Sequence, residues 1–118
     1  MKVTVTNLTN EHAPLRLAVF REDGDFEDEN TIYKGIVSKP GGAPAVIEME
    51  LPAGDYALAV YQDLNSNGKM DKNLVGIPKE PFGFSRNFKP RFSAPDFEDC
   101  QISLTPSSNN FEIKLMNY

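Results

Sequence analysis

The chain has 118 residues, 17 acidic against 12 basic side chains, a net charge of −5 and a hydrophobic fraction of 40%. That length suits one domain whose core needs no metal or disulfide as a staple, and the composition excludes a disordered tail. The acidic balance with no basic stripe argues against nucleic acid, no apolar run reaches transmembrane length, and the lone Cys100 excludes an internal disulfide.

In chain order, Val3, Val5 and Leu8 alternate with polar residues and predict a first strand near residues 2 to 8. The strand pattern begins almost at Met1, which fits either a leaderless cytoplasmic protein or a mature domain whose export signal has been removed. The polar stretch Asn10 to Pro14 breaks the pattern, and its His12, the single histidine, reads as a surface residue. A second strand sets Leu15, Leu17 and Val19 on one face and Arg16, Ala18 and Phe20 on a partly covered other face. The run Glu22, Asp23, Asp25, Glu27, Asp28, Glu29 reads as a solvated acidic loop.

A weaker strand is expected over Thr31 to Val37, followed by a turn at Pro40-Gly41-Gly42. Ile47, Met49 and Leu51 then face the core while Glu48 and Glu50 face water. Pro52-Ala53-Gly54 turns the chain into a strand with Tyr56, Leu58, Val60 and Gln62 on one side and Ala57, Ala59 and Tyr61 on the other. Residues 63 to 99 form a long loop region, with Phe82, Phe84, Phe88, Phe92 and Phe97 tacking it to the sheets. Two last strands are predicted near Cys100 to Thr105 and Phe111 to Leu115, with Cys100, Ile102 and Leu104 on one face and Cys100 a buried thiol. The chain thus reads as a single all-β domain over 1–118, expected to be an immunoglobulin- or transthyretin-like antiparallel sandwich of about seven strands without long helices. Its core is assigned to Leu15, Leu17, Val19, Ile47, Met49, Leu51, Tyr56, Leu58, Val60, Ile102, Leu104, Ile113 and Leu115.

One loop carries chemistry. From Asp63 to Asp71, oxygen-bearing side chains fall at loop positions 1, 3, 5 and 9 (Asp63, Asn65, Asn67, Asp71), with Gly68 at position 6. Calcium takes six to eight oxygens, and alternating donors in a curved loop point inward around it; the carbonyl of Lys69 supplies a further one. Position 12 is Leu74 where a bidentate glutamate is usual, so Asp71, water or the distant Glu80 must replace that donor. The competing reading is that Asp63, Asn65 and Asn67 form side-chain-to-backbone turns that only shape the loop. An acid–base pair drawn from Asp63, Asp71 and Glu80 would make a carboxylate hydrolase, a reading that ranks last because no substrate pocket is evident. No catalytic residue and no other cofactor site is assigned.

The runs Leu51 to Val60, Asp63 to Asp71 and Gly76 to Ser85 together resemble an uncharacterised bacterial family known as domain of unknown function 2141. The resemblance covers most of the chain and implies a small exported protein with no assigned activity. More loosely, the Pro-x-Gly-x-Tyr hairpin resembles transthyretin-like and carboxypeptidase regulatory-like sandwiches and the B-type domains of bacterial surface proteins. In those surface domains similar loops often hold calcium, an implication that carries over to Asp63, Asn65, Asn67 and Asp71. The resulting expectation is a non-catalytic accessory or binding module, periplasmic, cell-surface or secreted. Its partner would be an envelope or extracellular protein or a glycan, and a purely structural envelope protein without metal is the alternative.

Overall fold

The alternation seen in the sequence becomes two packed sheets in the computed structural model, which describes residues 1–9, 13–23, 31–64, 80–89 and 95–116. The strands are β1 (Lys2–Thr6), β2 (Leu15–Phe20), β3 (Lys34–Ser38), β4 (Ala45–Glu48), β5 (Gly54–Gln62), β6 (Phe82–Phe84), β7 (Gln101–Leu104) and β8 (Asn110–Lys114). One sheet runs β4-β1-β8; the other runs β3-β2-β5-β6, with β7 also on β5. The predicted sandwich is therefore present, with eight strands among the described residues. Its pairings are antiparallel except for β1 with β8, which is parallel.

Twelve of the thirteen assigned core residues are buried; Leu51 is half-buried against the same cluster. Val3, Val5 and Ala45 join them from the smaller sheet, so alternate residues of both sheets meet in one shared layer. The first strand stops two residues earlier than expected because Asn7 adopts a φ of 64°, and its side-chain amide donates to the Leu115 carbonyl at 2.8 Å. The weak third strand lies three residues further along at its start than predicted, beginning at Lys34 rather than Thr31.

Outside the larger sheet sits a second apolar cluster of Ala57, Phe82, Phe84, Phe97 and Cys100, with Phe88 packed against it. The aromatic residues thus tack the 80–100 region to the sheet as expected, while Phe92 lies outside the described residues. Cys100 is buried, yet it does not share a face with Ile102 and Leu104. It closes a helical turn, α1 (Phe97–Cys100), whose Asp96 and Asp99 form a reciprocal capping box, so the two-residue period begins only at Gln101.

The long strand β5 organises this side of the molecule. One of its edges is paired by β2 over Ala57 to Gln62; the other is paired by β7 over Gly54 to Ala57 and by β6 over Ala59 to Tyr61. Leu58 falls in the gap between them. Buried Ser85, in a 3-10 turn (Ser85–Asn87), fills it: its hydroxyl accepts from the Leu58 N–H at 2.9 Å and donates to the Cys100 carbonyl.

Candidate functional site

Strand β5 ends by delivering two polar side chains into buried positions, Gln62 and Asp63. Gln62 continues the inward row of Tyr56, Leu58 and Val60, but its amide meets backbone instead of core. Its Oε1 accepts from the Thr9 N–H at 3.0 Å and its Nε2 donates to the Ala13 carbonyl at 3.3 Å. It thereby closes the connection between β1 and β2, whose ends would otherwise leave those groups unsatisfied.

Asp63 belongs to the outward row and is fully buried, whereas Arg16, its diagonal neighbour on β2, is one-third exposed. Arg16 Nε donates to Asp63 Oδ2 at 3.0 Å, and the Asp63 N–H donates to the Pro14 carbonyl at 2.8 Å. One residue on, the Leu64 N–H donates to Glu80 Oε2 at 2.7 Å, and Glu80 is itself buried. The Gln62 N–H donates to the Pro81 carbonyl at 2.9 Å, so the stem is clamped on both sides of the carboxylates. Two buried carboxylates, Asp63 and Glu80, thus stand where the described chain stops at Leu64 and resumes at Glu80.

Of the predicted calcium donors, Asp63 is described; Asn65, Asn67, Lys69 and Asp71 lie outside the described residues, as does Leu74. Among the described residues, no three Asp, Glu, His or Cys side chains gather closely enough to hold a metal ion. Asp63 and Glu80 supply the hard anionic oxygens that calcium prefers, which makes the stem chemically suitable as part of a site. The same oxygens also serve the fold, one against Arg16 and one against the Leu64 N–H.

The sequence pattern singled out Asp63 and named Glu80 as a distant donor, but it missed Arg16 and Gln62. A signal existed for Gln62, a polar residue at the end of an otherwise apolar inward row. Arg16 carried none, since an arginine on a partly covered face usually reaches water.

The family model described as "Uncharacterized protein conserved in bacteria (DUF2141)" matches residues 3–112. The chain belongs to this family. The match to DUF2141 spans both sheets, the second apolar cluster and all four residues of the stem: Arg16, Gln62, Asp63 and Glu80. No curated protein and no solved structure matches the chain.

Proposed function

We propose that this DUF2141 protein is a non-catalytic, extracytoplasmic accessory or binding module whose 63–71 loop takes one calcium ion. The observation that carries the calcium reading is the pair of buried carboxylates, Asp63 and Glu80, at the two ends of the 65–79 segment. A buried carboxylate is costly unless a cation or hydrogen-bond donors compensate it, and a bound cation at this stem would compensate two. Glu80 would be the distant donor that replaces the glutamate missing at Leu74. The envelope or extracellular location rests on the resemblance to exported and surface-protein domains, as does kinship with immunoglobulin- or transthyretin-like sandwiches. Its partner is an envelope or extracellular protein or a glycan. Fractionation of the native host, with recovery in the cytoplasm, would overturn that location.

Calcium titration of chelator-treated protein, followed by calorimetry and thermal melting, tests the metal site. With the usual bidentate donor missing, a dissociation constant of about 10⁻⁴–10⁻³ M is expected, and Tm should rise with added calcium by mass action. Asp71→Asn should remove the calcium-dependent part of that shift without unfolding the sandwich. Absence of both heat and thermal shift at millimolar calcium would sink the reading. The second reading, a structural envelope protein without metal, is favoured by one observation: Arg16 already places a cationic group on Asp63.

A further inference from the structure

Strand β3 ends the larger sheet, and its register shows which of its backbone groups face outward. The Asp63 N–H donates to the Pro14 carbonyl, while the Gln62 and Leu58 N–H groups point to the other side of β5, toward Pro81 and Ser85. With Leu15 opposite Gln62, the even residues of β2 bond to β5 and the odd ones, Leu15, Leu17 and Val19, bond to β3. Their partners there are Ser38, Ile36 and Lys34. Gly35 and Val37 consequently turn both their N–H and C=O groups away from β2, along an edge that meets no other described strand.

The side chains around this edge differ from the rest of the surface. Val37 is 55% exposed, the highest value among the large hydrophobic residues described, and Tyr33 and Ile32 beside it are also exposed. In a chain of net charge −5, no residue from 31 to 47 is acidic, and Lys34 and Lys39 flank the strand without interrupting its centre. Two acidic molecules repel each other least along such a strip. An open, apolar edge of this kind is a template for pairing with another strand.

We infer that two copies of this chain pair antiparallel through β3, with a two-fold axis at Ile36 that joins their larger sheets into one. In this register Gly35 of each copy lies opposite Val37 of the other, so the outward-facing residues of both strands satisfy one another in four backbone hydrogen bonds. Ile36 meets its own equivalent and Lys34 lies opposite Ser38, so no like charges face each other within the paired strands. An axis placed between two residues would set inward side chains beside outward ones. An axis at Gly35 or Val37 would pair that residue with its own equivalent in two backbone hydrogen bonds and leave the other opposite Tyr33 or Lys39, outside β3.

Sedimentation equilibrium of the full chain, from low-micromolar to near-millimolar concentration, tests the pairing. A reversible monomer–dimer equilibrium is expected, in the weak class that a small interface supports. Val37→Lys places a charge on the edge, and Val37→Pro removes an outward N–H that the β2–β3 ladder does not use. Each should weaken association about tenfold or more while leaving the circular dichroism spectrum of the monomer unchanged. Ile36→Cys should give a disulfide-linked dimer on mild oxidation, because directly opposed residues of a non-hydrogen-bonded pair lie about 4.5 Å apart at Cα. Buried Cys100 should leave the wild-type chain unlinked under the same conditions. A chain that stays monomeric throughout, or a dimer that Val37→Lys leaves intact, overturns the inference. Linkage through Val37→Cys in place of Ile36→Cys overturns the register.

Discussion

Tyr56 shows how much one side chain fixes in this fold. Its ring fills the core, its hydroxyl donates to the Pro52 carbonyl at 2.6 Å, and Tyr33 stacks beside it at 6.0 Å between ring centroids. The hydrogen bond holds the turn between β4 and β5 against the strand it introduces. Tyr56→Phe keeps the ring and loses the bond, so chemical denaturation should show a loss of about 0.5–1.5 kcal/mol. Burial, with a smaller contribution from Tyr33, raises the Tyr56 phenol above its ordinary value of 10.0. The unfolded chain then releases that proton at lower pH than the folded one. The associated stability is complete below about pH 10 and is lost as pH rises toward the higher folded value. Tyr56→Phe should flatten this alkaline decline in Tm, and an unchanged decline would remove Tyr56 as its source.

At the scale of elements, β5 depends on a hydroxyl. Its outer edge passes from β7 to β6 at Leu58, and a backbone N–H there would be buried without a partner unless Ser85 accepted it. The 3-10 turn that presents Ser85 is itself unusual, since Arg86 and Asn87 both adopt positive φ, 63° and 52°. Asn87 Oδ1 accepts from the Lys114 N–H at 2.8 Å, which blocks the outer edge of β8. Such non-glycine conformations persist where surrounding bonds over-determine them. Ser85→Ala leaves the Leu58 N–H and the Cys100 carbonyl without the hydroxyl and should cost about 1–3 kcal/mol. Hydrogen exchange should then quicken first at the Leu58 amide; uniform loss of protection along β5 would contradict the assignment.

At the scale of the whole molecule, the two sheets meet at one side through β6. Phe82 and Met116 exchange backbone hydrogen bonds at 3.1 and 2.8 Å, and Gly83 lies against Ile113 and Leu115 of the other sheet. A Cβ on Gly83 would fall 2.6 Å from Ile113 Cγ2 and 3.2 Å from the Lys114 carbonyl oxygen. Gly83→Ala must therefore push the sheets apart locally, at a cost of about 1–3 kcal/mol in equilibrium unfolding. A neutral effect would mean that β8 can move away from β6 freely. Among the described residues no strand pairing joins the two sheets on the β3 side, where β3 presents the edge through which two copies are inferred to pair.

The alternation of Leu15, Leu17 and Val19, of Ile47 and Met49, and of Tyr56, Leu58 and Val60 was enough to identify the sandwich and nearly all of its assigned core. Burial on one side of a strand writes itself into sequence with period two, so this information is local. The spacing of Asp63, Asn65, Asn67 and Asp71 likewise marked the loop, and it drew attention to Asp63. Tertiary structure alone decided that β1 runs parallel to β8, that three residues around Gly83 form a strand, and that Cys100 packs outside the main core. It also brought Arg16 to Asp63 and Glu80 to the Leu64 amide, contacts across 47 and 16 positions of the chain. Such pairings depend on which strands become neighbours, and strand order is set by the packing of whole sheets rather than by any pattern within one segment.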